Sequence, residues 1–236
     1  MVQGCAVVTG GGRNIGQAVA LRLQADGFRV IVLDIVEPEA ESLRADARVV
    51  DLSDRSAAEA AFAALADLPV RVLVNNVGIV VPALLDEVRV DDFDRVFHLN
   101  LRTAIIAAKA LVPVMRRDGG GRIVMNTSRV TLGKEARTLY SASKGALQSA
   151  ARTWALELAK DRITVNCVAP GPIATNVFWQ NNPPESEATK RIVEGVPVGR
   201  MGTPEDVANA VSFFCDPRAD FVTGQTLFVC GGVTVG

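Results

Sequence analysis

The segment TLYSASKGAL, residues 138–147, holds the one tyrosine of a 236-residue chain that carries nine Phe and two Trp. Lys144 follows Tyr140 by four residues, and residues four apart share one face of a helix. A phenol titrates near ~10 and alone is a poor base at neutral pH. Bringing it to about 7 takes roughly 4 kcal/mol of preferential stabilisation of the phenolate. An ammonium at ~4 Å supplies about that much at an effective dielectric near 20. The spacing therefore predicts that Lys144 holds Tyr140 low, as an acid–base group for a hydroxyl or carbonyl. The small residues Ser141, Ala142 and Ser143 leave room for a ligand against the helix. Taken alone, Tyr140 and Lys144 also read as an ordinary helix-surface pair.

A second constellation lies at the other end of the chain. VVTGGGRNIGQAVA runs from a strand through glycines into a helix. Gly10, Gly11 and Gly12 permit a tight turn, and Gly16 lets the helix pack near the sheet. Free N–H groups at such a helix start can hold a pyrophosphate. Asp34 ends FRVIVLD, where a carboxylate can accept hydrogen bonds from both hydroxyls of a ribose. Asp51 in VVDLS ends a third strand, where an adenine can rest, and Asn75, Asn76 and Gly78 in VNNVG end a fourth. Ligands of open parallel sheets bind outside the carboxyl ends of the strands, so these positions converge on one crevice.

The elements that must position these groups alternate along the chain. CAVVTG, FRVIVLDI, ARVVDLS, VRVLVNNVG, GRIVMNTS, ITVNCVAPG and TLFVCGG read as strands buried on both faces. Residues 15–26, 55–67, 91–116, 139–159 and 204–215 read as helices. The alternation predicts an α/β fold, a Rossmann-type doubly wound parallel sheet of about seven strands with helices on both faces. No composition shift divides the chain, so 1–236 is expected to be a single domain. Residues 174–203, polar and Pro-containing with a helical patch near 185–195, interrupt the rhythm after a strand's C-terminal end. They read as a substrate lid or as a plain surface excursion.

Bulk properties narrow the partners. The formal net charge is −1, from 25 basic and 26 acidic residues, which provides no field for nucleic acid or an anionic membrane. One His and four scattered Cys offer no metal site. Cys5, Cys167, Cys215 and Cys230 read as buried thiols in a reducing compartment. With no apolar run of ~20 residues and no signal peptide before the first strand, the chain is expected to be cytoplasmic.

With YSASK, these motifs resemble the short-chain dehydrogenase/reductase family in its compact branch, over essentially the whole chain. TGxxxGxG resembles Thr9 to Gly16, NNxG resembles Asn75 to Gly78, and YxxxK is Tyr140 to Lys144. The family's serine matches Ser128 in IVMNTS, its helix asparagine Asn100 in FHLN, and its PG turn Pro170–Gly171. Asn14 stands where many relatives have a glycine, and asparagine tolerates a left-handed backbone. Val77 replaces the usual Ala.

The resemblance implies a nicotinamide cofactor held by Gly10, Arg13, Asn14, Ile15, Gly16, Asp34, Asp51, Leu52, Asn76, Gly78, Tyr140, Lys144, Pro170, Gly171, Ile173 and Thr175. It implies catalysis by Asn100, Ser128, Tyr140 and Lys144 on a small-molecule secondary alcohol or ketone. Ser128 would hydrogen-bond the substrate oxygen, and Asn100 would hold a water linking Lys144 to solvent. Thr127 is a weaker candidate for the hydroxyl, because neighbours on a strand face opposite ways. Arg13 favours NADP and Asp34 favours NAD; like charges make the acid decisive, so NAD is expected to be preferred over NADP. A homotetramer is expected, with contacts on helices 91–116 and 139–159 and near the last strand.

Substrate identity stays open between 3-oxoacyl-carrier-protein reductases and catabolic alcohol dehydrogenases. A nucleotide-sensing module without chemistry would show an eroded Ser–Tyr–Lys set. His98 is expected to pack within its helix. Phe178 and Trp179 either line a substrate pocket or pin the lid. MRRDGGGR either attracts an acidic carrier protein or is a solvated loop.

Overall fold

The computed structural model describes residues 4–235, apart from the side chains of Val177, Asn181 and Ala188. The first three residues of the opening run MVQGCAVVTG lie outside the described residues. The first strand, β1 (Cys5–Thr9), is buried throughout. Alternation sends Val7 to one core and Ala6 and Val8 to another. The same split recurs in β2 (Arg29–Asp34), β4 (Val70–Asn75), β5 (Gly121–Asn126) and β6 (Ile163–Pro170). With the two-residue β3 (Arg48–Val49) and β7 (Thr226–Val229), they form one seven-stranded sheet. Its order is β3-β2-β1-β4-β5-β6-β7, with every pair parallel.

Helices cover both faces. On one side, α1 (Asn14–Ala25) and α8 (Pro204–Cys215) bury Val19, Leu23, Val207, Val211 and Phe214 against Val8, Val32 and Val74. On the other, α2 (Arg55–Ala63), α4 (Thr103–Arg117) and α5 (Thr138–Leu158) bury Phe62, Leu111, Leu147 and Ala151 against Leu33, Leu73 and Met125. A Val, Leu or Phe withdrawn from water in this way contributes about 1.5–3 kcal/mol. Strand order reverses at β1, whose neighbours β2 and β4 lead to opposite faces. That switch point opens a crevice at the carboxyl ends.

Two expected elements differ. The helix expected over 91–116 is α3 (Asp92–Phe97) followed by a π-helical turn (His98–Arg102) and then α4. The segment 174–203 carries two helices, α6 (Asn176–Asn181) and α7 (Glu187–Glu194). Thr175 and Ser186 cap them, accepting from Phe178 N–H and Thr189 N–H. Such caps stabilise a helix by about 1 kcal/mol each. His98 is partly exposed and faces Asp94, one turn earlier on its own helix, at 3.6 Å.

Candidate active site

The glycine loop is shaped by close approaches. Gly10 turns the chain at φ 66°, and Asn14 adopts the left-handed backbone expected of it, at φ 49°. A Cβ on Gly16 would stand 1.8 Å from the Gly10 carbonyl oxygen, so no other residue fits there. The start of α1 has no capping side chain and no acid in its first turn. Its N–H groups are therefore open to an anion. Asn76 fixes the loop from across the crevice: its Nδ2 donates to Thr9 O at 3.1 Å and Gly10 O at 2.9 Å. Asn126 Nδ2 in turn donates to Asn76 Oδ1 at 2.7 Å.

The carboxylates line one side. Asp34 accepts the Gly12 N–H at 2.8 Å through Oδ2. Asp51 accepts from the N–H and hydroxyl of Ser53, which hold its carboxyl below the usual range. Arg13 faces Glu39 at 3.8 Å instead of pairing with Asp34, and both side chains are more than half exposed. Residues Gly10, Arg13, Asn14, Ile15, Gly16, Asp34, Asp51, Leu52, Asn76, Gly78 and Thr175 of the expected cofactor set line one cavity of 590 Å³. Tyr140, Lys144, Pro170, Gly171 and Ile173 lie outside its lining. Ile173 is buried, so it can meet a ligand only through its backbone. Its neighbours carry the bridge to Gly202, leaving its own N–H and C=O unused among the described residues. A Cβ on Gly171 would stand 2.6 Å from Cys230 Cβ, which accounts for the glycine of the PG turn.

The expected catalytic residues meet beside this cavity. Lys144 is 3% exposed, and its Nζ donates to Asn126 O at 2.8 Å. Burial lowers it from 10.5 to about 8, which leaves it mostly protonated at pH 7. A Cβ on Gly78 would stand 3.3 Å from Lys144 Nζ, so glycine brings cavity and ammonium together. Ser128 ends the β5 run, and its Oγ accepts from Val130 N–H at 3.4 Å. Its proton is thus free to stabilise the Tyr140 phenolate. Thr127 Oγ1 turns instead to Val168 O at 3.1 Å, as strand alternation requires.

One expectation needs correction. Tyr140 is raised, not lowered: burial of the phenol dominates, opposed by Ser128 and then by the Arg137 guanidinium. Lys144 Nζ lies 5.8 Å from the Tyr140 ring centroid and is committed to the Asn126 carbonyl. Asn100 sits in the π-turn at 2% exposure. Its side chain accepts from Ile79 N–H at 2.8 Å and donates to Ile79 O and Ser143 Oγ, both at 3.0 Å. Sequence reasoning missed Asn126 and Arg137. The signal for Arg137 was a cation three residues before the lone tyrosine.

The residues present fit a dinucleotide: an uncapped helix start, a glycine no side chain can replace, and a ribose-facing carboxylate. Known proteins agree with this geometry. A family model described as enoyl-(acyl carrier protein) reductase matches residues 10–234. The chain is 38% identical over 245 residues to a 3-oxoacyl-[acyl-carrier-protein] reductase FabG of Aggregatibacter actinomycetemcomitans, covering 96% of this chain and 98% of that protein. It is 34% identical over 242 residues to the 7alpha-hydroxysteroid dehydrogenase of Escherichia coli (strain K12), covering 97% and 93%. A blue fluorescent protein from a metagenomic library, solved with NADPH, superposes with a TM-score of 0.87 at 34% identity, covering 99% and 98%. The protein is a nicotinamide-dependent oxidoreductase acting on CH–OH groups. The chain belongs to the short-chain dehydrogenase/reductase family.

Proposed function

We propose that Tyr140 exchanges the proton of a secondary alcohol or its ketone, with Ser128, Lys144 and Asn100 as its supporting set. The carrying observation is the buried Lys144 ammonium, 5.8 Å from the Tyr140 ring centroid and held against Gly78 of the cavity wall. When bound, the nicotinamide supplies or accepts the hydride. Ser128 orients the substrate oxygen, and Tyr140 gives it a proton in reduction or takes one in oxidation. Asn100 ties Ile79 to Ser143, which sets the distance between the cavity wall and α5. Because the protein raises Tyr140, reduction finds its proton donor protonated over the whole neutral range, whereas oxidation gains with rising pH.

NAD is the preferred cofactor in this reading. The Asp34 carboxylate is held at the cavity by the Gly12 N–H, whereas Arg13 is exposed beside Glu39. A 2′-phosphate ~4 Å from that carboxylate would cost roughly 4 kcal/mol at an effective dielectric near 20. An exposed arginine contact returns ~1 kcal/mol or less. The metagenomic relative was solved with NADPH, so cofactor choice here rests on Asp34 and not on likeness.

The lid reading of 174–203 is supported by Asn14, whose Oδ1 accepts the Asn176 N–H at 2.9 Å. Phe178 and Trp179 pack edge to face at 5.0 Å within it. Exposed Ile105 on α4, Leu156 on α5, and Phe221 and Leu227 around β7 support subunit contacts there, and we take the assembly to be a homotetramer. The four free thiols are buried, which supports a cytoplasmic location.

The test is a panel of secondary alcohols and ketones run in both directions with both cofactors. Tyr140→Phe should keep cofactor affinity and lose about 10²–10⁴-fold in kcat. NAD(H) should exceed NADP(H) by at least ~10-fold in kcat/KM. Wild-type turnover in the Phe variant would remove the acid–base assignment. Parity between the cofactors would remove the role given to Asp34.

A further inference from the structure

We propose that Asn126 is a cofactor-binding residue whose Oδ1 accepts a hydroxyl of the ribose next to the nicotinamide. The inference deepens the dinucleotide reading of the cavity and does not depend on which group transfers the proton. Asn126 ends β5 and is 8% exposed. It stands where the two halves of the site meet. Its Nδ2 donates to Asn76 Oδ1 at 2.7 Å, and Asn76 holds the Thr9 and Gly10 carbonyls of the glycine loop. Its backbone carbonyl accepts from Lys144 Nζ at 2.8 Å. One residue thus touches the support of the phosphate loop with its side chain and the buried ammonium with its backbone.

These contacts leave one atom over. Asn126 Oδ1 is buried and meets no donor among the described residues. Turning the amide round does not remove the fault. Asn76 Nδ2 is committed to two carbonyls, so Asn76 shows its oxygen to Asn126, and Asn126 must answer with its nitrogen. The leftover atom is therefore an acceptor, and what completes it is a donor. Buried polar groups are almost always paired, and an exception calls for a ligand or a bound water. Asn75 Oδ1 and Arg122 Nε are also unpaired, but neither residue lines the dinucleotide cavity, whereas Asn126 does.

Strand order identifies the donor. Asp34 ends β2, the glycine loop leaves β1, Asn76 and Gly78 follow β4, and Asn126 ends β5. The sheet order β2-β1-β4-β5 is thus also the order of these groups across the cavity. A dinucleotide with its adenosine ribose on Asp34 and its pyrophosphate at the open start of α1 brings its second ribose to Asn126. A pyrophosphate only accepts hydrogen bonds and would leave Oδ1 unpaired, whereas a ribose hydroxyl donates.

Calorimetric titration with cofactor fragments tests this without turnover. ADP-ribose and the β-methyl ester of ADP match in charge and pyrophosphate and differ by the second ribose. In the wild type ADP-ribose should bind at least ~10-fold tighter. Asn126→Val should cut that advantage by about 3–10-fold, the scale of one hydrogen bond. Asn126→Asp keeps an acceptor and should keep most of the advantage; a loss as large as in Asn126→Val would overturn the proposal. Weaker binding of both fragments by one common factor in Asn126→Val would also overturn it, because the side chain would then act only through Asn76 and the glycine loop. Parity of the two fragments in the wild type would overturn it without any variant. So would an advantage unchanged in Asn126→Val with only NAD+ weakened, because the donor would then be the carboxamide of the nicotinamide. Full turnover in Tyr140→Phe, with the fragment advantage lost in Asn126→Val as expected, would remove the acid–base reading and leave Asn126 in place.

Discussion

Asp34, Asp51 and Asn76 each answer to named groups of the protein, the Gly12 N–H, Ser53, and the Thr9 and Gly10 carbonyls. On the loop before α5, Arg129, Lys134 and Arg137 form no ion pair among the described residues, as most of the chain's cations do not. The first side is a mould whose shape is determined before a ligand arrives. The second carries no fixed ionic partner. Preorganisation favours affinity for a constant partner. The cofactor side is therefore built for one molecule, and the loop before α5 has no comparable mould.

The sharpest way to break this comparison is at Gly16, where a Cβ would stand 1.8 Å from Gly10 O. Gly16→Ala should destabilise the fold by about 3 kcal/mol or more in urea denaturation and abolish cofactor retention. A variant that keeps both would show that the mould yields. The next effect is opposite in sign and falls at the junction of the two sides. Lys144 is lowered from 10.5 to about 8 by burial, so the folded protein binds fewer protons than the unfolded chain between those values. Wild-type stability then rises with pH across that window, and below about 8 the full cost of about 3 kcal/mol is present. Lys144→Met removes the cost but strands the Asn126 carbonyl, worth about 1 kcal/mol. It should be inactive, yet more stable at pH 7 by about 2 kcal/mol, with the gain fading toward pH 10.5. Equal stability curves for variant and wild type would mean that the ammonium is not desolvated.

The smallest effect falls on residues 174–203, the proposed lid. Asn14→Ala should lose about 1 kcal/mol, because alanine tolerates the left-handed backbone poorly. Asn14→Gly should restore that stability but not the hydrogen bond to Asn176. Limited proteolysis should then cut within 176–194 faster in both variants than in wild type. Unchanged cleavage would detach the glycine loop from the lid.

The sheet was legible in the sequence because runs such as VIVL and VLV have no other stable place than between two helical layers. The glycine loop, Asp34 and Asn76 were legible because their requirements are local: a tight turn, an open helix start, a strand end. Other features depended on what the chain does at a distance. FHLNLR reads as ordinary helix, and nothing in its pattern reports the π-turn that carries Asn100 to Ile79. The spacing of Tyr140 and Lys144 was correctly read as one face of α5. The direction in which the phenol titrates depends on how deeply it is buried, which spacing does not encode. Arg137 was not singled out, because its influence on the phenol depends on how the loop before α5 folds back on the helix.

The order β3-β2-β1-β4-β5-β6-β7 also separates the two sides of the crevice in time. A ribosome delivers the chain from its N-terminus at about 5–20 residues per second. Gly10, Gly16, Asp34, Asp51 and Asn76 have all been synthesised once residue 78 is made, whereas Ser128, Tyr140 and Lys144 follow several seconds later. In that interval β4 can pair with β1 but has no β5, and its valine-rich free edge can join another nascent chain. Translational pausing between residues 78 and 121 should therefore be the point at which expression of this protein is most easily lost to aggregation.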